Sequence, residues 1–452
     1  MDAWRTVSTA PTVQWVGVDQ EGKRALYCSE MSRTDRSADP DRVDPMIESV
    51  RVHAVDHLDR AVDLRRRLHR RPEIGNELPL TRDAVLAEIE DLPVDVTLHR
   101  TTSGIAALLE GTRPGPTMLL RGDMDALPMP EDTQVEFASE VDGCMHACGH
   151  DTHTAMLASA ARVLSERRDE IAGRVLFMFQ PGEEGHHGAK FMLEEGLLDV
   201  APMSDGSPSP VDAAFAIHIT SSMPTGVVST RAGAVMASAD TLRITITGKG
   251  GHASEPHRAV DPIPVACEVV TALQTMITRS IDAFDPAVVT VARIAAGTTV
   301  NVIPESAEIL GTIRAVSERT RARVHDGIKR VAGGIAEAHG CGSDVEIVHG
   351  YPVTSNHDEF ADFSLGLATE LVGSDSVVRL PNPVMGAEDF SYVLNERPGA
   401  MVFLGGTPPE VDPFRAAPNH SNRVYFDEAA MGPASPCTQP LRSATSPPPD
   451  RT

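Results

Sequence analysis

A chain of 452 residues exceeds what one hydrophobic core usually serves, so two domains are expected. Its composition, 41% hydrophobic and 23% charged, is that of a globular protein, and no apolar run reaches the length of a helical membrane span. With 64 acidic side chains against 40 Lys and Arg, a formal charge of −24, it is not built for nucleic acid, which needs a basic face.

Residues 1–45 show little periodicity and many Ser, Thr, Asp and Arg, and we read them as a disordered extension, with Met46 as an alternative start. The N-terminus lacks the apolar core of a signal peptide, which makes the cytoplasm the expected compartment. From Asp56 a helical pattern sets Leu58, Ala61, Leu64 and Leu68 on one face until Pro72, and a second helix is expected over Thr81–Glu90. Ser103–Glu110 and Thr117–Gly122 read as buried strands, the second ending beside Asp123 and Asp125. A helix (His150–Arg168), a strand (Arg174–Gln180), a helix (Gly188–Gly196) and a strand (Ala213–Ile219) follow. Such alternation predicts an α/β domain with a mostly parallel mixed sheet, whose ligands bind beyond the carboxyl ends of the strands. Asp123, Glu183 and His218 each fall at or just past such an end.

From about residue 233 the pattern changes. Thr241–Thr247 alternates as a half-exposed strand, followed by a helix (Pro262–Ile281), strands at Ala287–Ile294 and Ala307–Ala315, a helix (Glu318–His339) and a strand (Asp344–His349). The order β-α-β-β-α-β predicts a ferredoxin-like α+β domain inserted over 233–349 between catalytic parts 46–232 and 350–431. A helix near Glu359–Val372 and a strand at Ala400–Leu404 complete the second part, and residues 432–452 form a Pro-rich tail expected to be disordered.

Six cysteines in so long a chain do not form a disulfide framework, but two of them sit in Asp142-Gly-Cys-Met-His-Ala-Cys-Gly-His-Asp-Thr-His153. Cys148 and His150 are separated by one residue, so on an extended loop both can face one ion. A structural zinc held by Cys144, His146, Cys148 and His150 is a rival, though four ligands within seven residues close a tetrahedron poorly. Glu183 and Glu184 follow a strand and a Pro-Gly turn, so one carboxylate can bind metal while the other holds a water. Bland alternatives stand beside each: a solvated acidic loop, a core histidine at His218 in an apolar strand, a surface loop at His420. The glycines of Gly248-Lys-Gly-Gly-His252 permit a turn that presents His252 away from its sheet, or an ordinary hairpin.

Together these motifs resemble the amidohydrolase branch of the di-metal aminoacylase and carboxypeptidase superfamily, which includes auxin-conjugate hydrolases, hippurate hydrolases and N-acetyldiaminopimelate deacetylases. The match runs in order through Leu68-His-Arg-Arg-Pro-Glu73, Arg121-Gly-Asp-Met-Asp-Ala-Leu-Pro128, Met145-His-Ala-Cys-Gly-His-Asp151, Glu183-Glu184-Gly185, Gly250-Gly-His-Ala-Ser254, Asn301-Val-Ile-Pro304, Gly311-Thr-Ile-Arg314, Gly386-Ala-Glu-Asp-Phe-Ser391 and His420. The resemblance implies a hydrolase of the amide bond in N-acyl amino acids or related conjugates. Cys148, His150, Glu184, His218 and His420 would hold two divalent ions (manganese, zinc, cobalt or nickel), with Glu183 as general base and Asp125 in support. His252 would polarise the scissile carbonyl, across a homodimer in many members, while Asn301 and Arg314 orient the substrate. A dipeptidase or carboxypeptidase, or an inactive homologue, are the alternatives. Three departures stand out: Pro181-Gly-Glu-Glu-Gly-His-His-Gly188 where Pro-Ala-Glu-Glu and several glycines are usual, Ile219-Thr-Ser-Ser222 where an aromatic-Pro pair follows the strand histidine, and a Pro-rich tail after Phe426-Asp-Glu.

Overall fold

The computed structural model describes residues 16–18, 24–26 and 45–432. The rest of the expected N-terminal extension and of the Pro-rich tail lies outside the described residues. The chain divides at Pro45/Met46. In the first unit Val16–Val18 and Arg24–Leu26 form an antiparallel pair.

The second unit is organised by an eight-stranded sheet. Its order is Val377–Arg379, Val228–Thr230, Gly399–Thr407, Val211–Pro224, Arg113–Asp123, Ala172–Gln180, Ile105–Glu110, Val94–Leu98. The four central strands run parallel, and antiparallel pairs flank them, as a mixed α/β sheet requires. Ala172–Gln180 is buried at every position after its first, and its alternating side chains feed two cores. Val175, Phe177 and Phe179 pack with Leu64 and Leu68 of the Leu58–Arg70 helix and with Ala155, Ala158 and Ala161 of His150–Glu166. Leu176 and Met178 face the opposite side, with Ala189, Met192, Val393 and Phe403. Each such Leu, Phe or Met contributes about 1.5–3 kcal/mol on burial.

Residues Asp240–His349 build a separate four-stranded antiparallel sheet, in the order Ala287–Ala296, Ser306–Ala315, Asp240–Thr247, Gly342–His349. Leu242, Ile244 and Ile246 turn inward against Val265, Val269 and Leu273 of one helix and Val324 and Ile328 of another. Both helices are capped: Asp261 accepts from the Ile263 amide and Ser317 from the Thr320 amide, about 1 kcal/mol each. Gly233–Met236 and Thr354–Asn356 pair antiparallel where the chain leaves and re-enters the larger sheet.

One expectation needs correcting. His218 is not at a strand end, because Val211–Pro224 continues six residues further, paired with Gly399–Thr407. It nevertheless lies level with the end of its other neighbour: Arg121 pairs Ala216, so Asp123 and His218 stand in the same row.

Candidate metal centre

Three loops, one strand and the first residue of a helix bring the expected ligands together. Sγ of Cys148 lies 3.4 Å from Nε2 of His218 and 3.3 Å from Nε2 of His420. His420 Nε2 is 3.1 Å from Glu184 Oε1, and His150 Nε2 is 4.0 Å from one oxygen each of Glu183 and Glu184. Of the five donor groups among the described residues, two consist only of expected ligands, Cys148–His150–His218 and Cys148–Glu184–His420, with the donor atoms in each within 4.8 Å of one another. Cys148 belongs to both.

Local backbone explains the convergence. Gly149 joins the Cys148 loop to the helix that begins at His150, with φ of 87° and space for no side chain: a Cβ would lie 2.4 Å from Ile219. His420 itself has φ of 67°, and its amide bonds the Ala147 carbonyl at 2.8 Å, which holds it beside the thiol. Gly182, where the resemblance would place alanine, has φ of 67°, and Asn76 Oδ1 fills the space 2.0 Å from where its Cβ would stand.

The donors fit divalent ions. His150 Nδ1 is 2.8 Å from the Asp125 carbonyl and His218 Nδ1 is 2.7 Å from the Ile219 carbonyl, so each Nδ1 donates and each Nε2 is left as a free acceptor, the tautomer a metal needs. His150 Nε2 is buried without a hydrogen bond, 4.0 Å from Glu184 Oε1. An orphaned buried acceptor is costly, and this one faces the two carboxylates. Burial works against a charge on His150, yet Asp123 and Cys148 draw its pKa well above the ordinary value, so a metal binding at Nε2 would have to displace a proton there as well. Burial pushes the Cys148 thiol up to about 12, so a metal would have to displace its proton. His153 is excluded as a ligand. Its Nε2 accepts from the Ile219 amide at 2.7 Å and its Nδ1 is 2.5 Å from Asp123 Oδ1.

Asp125 accepts the Glu183 amide at 2.9 Å and the Glu184 amide at 3.0 Å, fixing the acid pair by its backbone. The two carboxyls are driven apart. Burial, reinforced by Glu388, Glu184 and Asp389, raises the Glu183 pKa well above the carboxylate range. Burial opposes charge on Glu184 as well, but His420 and His150 outweigh it and its pKa is lowered. Beneath them Arg121, fully buried, meets Asp123 at 2.9 Å, Glu388 at 2.6 Å and Asp389 at 3.3 Å.

Other expected residues lie elsewhere. His252, Asn301 and Arg314 sit on the smaller sheet's side of the chain, and among the described residues no hydrogen bond or ion pair joins them to the cluster. The Ser254 amide donates to His252 Nδ1 at 3.1 Å, which leaves the proton on Nε2, and the ring is exposed. The rival zinc site is not formed: Cys144 donates to the Pro72 carbonyl, His146 lies against His69, and neither enters a donor group among the described residues. His186 and His187 add no ligand either, His187 turning to Tyr351 and Tyr392. Sequence reasoning missed Asn419, whose side chain donates to the carbonyls of Cys148 and Ile219 at 3.3 and 3.1 Å and so clamps two ligand-bearing segments. It also missed Arg121, although a charge inside an apolar strand signals a buried partner.

A mixed α/β chain with a thiol shared between two donor groups has the form of a dinuclear metallohydrolase. Residues 119–434 match the family model described as Peptidase family M20/M25/M40, and the chain belongs to that family. It is 37% identical to thermostable carboxypeptidase 2 of Saccharolobus solfataricus over 390 residues, 85% of this chain and 95% of that protein. It is also 37% identical to IAA-amino acid hydrolase ILR1-like 4 of Arabidopsis thaliana over 354 residues, 77% of this chain and 78% of that one. Among solved structures, the YXEP protein of Bacillus subtilis, described as a dinuclear metal binding peptidase from the M20 family, superposes with a TM-score of 0.71 at 32% identity, over 83% of this chain and 95% of that one.

Proposed function

We propose that the protein is a metal-dependent amidohydrolase cleaving N-acyl amino acids or related conjugates. The observation that carries this reading is Cys148, common to a Cys-His-His group and a Cys-Glu-His group, with a second acid, Glu183, at their edge. Cys148, His150, Glu184, His218 and His420 would hold two divalent ions, and manganese, zinc, cobalt and nickel all suit that donor set. Such ions, when bound, polarise a carbonyl and acidify a water. Glu183 would take the water's proton as a carboxylate and later give it to the leaving amine. Asp125 holds the two acids in place through their amides. His252 presents Nε2–H to the developing oxyanion, and Asn301 and Arg314 grip the substrate carboxylate.

Because His252 makes no contact with the cluster within one chain, we place it across a homodimer. The edge strand Ala287–Ala296 supports this with outward Val288 and Ile294, and Val300 and Val302 stand exposed beside His252. No helix among the described residues is long and apolar enough to cross a membrane. The free Cys144, Cys148, Cys267 and Cys341, one of them a proposed ligand, suit the reducing cytoplasm. A second reading, a dipeptidase or carboxypeptidase, is favoured by the carboxypeptidase relative.

The test is hydrolysis of N-acetyl and N-benzoyl amino acids beside dipeptides, by protein reloaded with each metal. Glu183→Gln is expected to keep both ions and lose about two orders of magnitude or more in rate. Preference for dipeptides would transfer the assignment to the second reading. Fewer than two ions with no turnover on any substrate would make the chain an inactive homologue.

A further inference from the structure

The acid loop is gripped from two sides, and only one grip comes from the larger sheet. Asp125, two residues past the end of the Arg113–Asp123 strand, takes the amides of Glu183 and Glu184. The opposite side is taken by Tyr351, whose buried hydroxyl donates to the Glu183 carbonyl and accepts the Gly185 amide at 2.7 Å. Tyr351 does not belong to the sheet that carries the acids. It follows the Gly342–His349 strand by two residues, and its own carbonyl accepts the Ala239 amide at 3.0 Å, next to the start of Asp240–Thr247. The stem where the chain enters and leaves the four-stranded sheet is thus one paired unit. Asp240 staples it further, accepting from the Gly350 amide at 3.1 Å, from Arg321 at 2.5 and 2.9 Å, and lying 2.7 Å from His325 Nε2.

His187 completes the joint. Its ring stands edge-on to Tyr351 at 4.9 Å, and its Nδ1 is 3.0 Å from the Tyr392 hydroxyl, which in turn donates to the Gly350 carbonyl at 3.3 Å. His187 holds a left-handed backbone, φ 57°, in a stretch where glycines are usual in the resemblance. A histidine kept in a conformation that glycine adopts more easily is a sign that its ring is needed.

We propose that Tyr351, backed by His187, is a positioning residue that ties the stem of the small sheet to the Glu183 peptide, so that movement of the stem sets the aim of the Glu183 carboxylate. The inference rests on Glu183 as the base. A domain that closes on a substrate would thereby complete the acid's placement only when closed. Binding would be coupled to proton transfer through one hydroxyl.

Tyr351→Phe keeps the ring and removes that hydroxyl. With metal content unchanged, kcat is expected to fall about 10- to 100-fold, the loss typical of a misplaced reacting group, while KM stays within about twofold. In a Glu183→Gln background the same change should cost nothing more, because the two act as a unit. Independently of turnover, backbone amide exchange over residues 183–186 should quicken in Tyr351→Phe and in His187→Gly, a substitution that the local φ accepts. Unchanged exchange there, a rise in KM with kcat intact, or an equal further loss in the Glu183→Gln background would overturn the inference. A fully active Glu183→Gln protein would overturn the proposed base itself, whereas an inactive one beside an unaltered Tyr351→Phe would strike only the joint.

Discussion

Asn419 offers the sharpest check on how the ligands are held. Its amide nitrogen donates to the Cys148 and Ile219 carbonyls, and its oxygen accepts from the Ser221 amide at 3.0 Å and the Ser221 hydroxyl at 3.2 Å. Asn419→Ala removes all four bonds without touching a donor atom. Each is worth about 0.5–1.5 kcal/mol net, and since the residue is half-buried, water recovers part, leaving about 2 kcal/mol. If that energy holds the Cys148, His218 and His420 segments together only in the metal-ready form, divalent ions should bind about 30-fold more weakly. Competition with a chromophoric chelator measures this directly. Asn419→Asp should be worse than alanine, because it faces two carbonyls with an acceptor instead of a donor. Affinity within about twofold of the parent for both variants, well under the energy of one tenfold step, would refute the clamp.

Four further outcomes follow from the geometry. Gly182→Ala, which restores the usual residue, should destabilise the fold by about 1–2 kcal/mol from its left-handed φ alone, with more from the clash with Asn76; adding Asn76→Ala should recover the clash but not the φ cost, as read by denaturant midpoint. Gly149→Ala should reduce both stability and metal content, because a Cβ there strikes Ile219 beside two ligands; normal metal content would contradict it. Burial works against charge on His69, but Asp151 and Glu131 raise its pKa to about 9 from 6.5, so its stabilisation is full below pH 6.5 and is lost as pH climbs through about 9. His69→Gln should therefore flatten the alkaline fall in Tm, and an unchanged slope would show that His69 is not its source. Finally, mixing inactive His252→Ala and Glu183→Gln proteins should restore roughly a quarter of parent activity if each site borrows His252 across a two-fold dimer, and none if it does not.

Much of this architecture was legible because local chemistry repeats at short range. Leu242, Ile244 and Ile246 alternate and do face one core, and the β-α-β-β-α-β order emerged as a four-stranded antiparallel sheet. Cys148 and His150 were readable from their spacing and His218 from its place near a strand end, whereas the ligand roles of His218 and His420 came only with the resemblance, since a histidine in an apolar strand has no local mark of its purpose. The short strands Val94–Leu98, Val228–Thr230 and Val377–Arg379 escaped because three to five residues carry too little periodicity. Tyr351 and Asn419 were opaque for a different reason. Tyr351 acts on a loop 168 positions away in sequence and Asn419 on one 271 away, distances at which no pattern in the chain records the contact. The Pro-Gly departure, by contrast, has a plain cause once Asn76 is seen in the space a methyl would need.

The central claim is that Cys148, the donor common to both groups, would help to hold two ions, and cobalt reconstitution tests it most directly. Titrated into metal-free protein, cobalt should bind to two equivalents per chain with a sulfur-to-cobalt charge-transfer band that grows through both, and Cys148→Ser should abolish the band. Saturation at one equivalent, or a band that survives the loss of Cys148, would contradict the account.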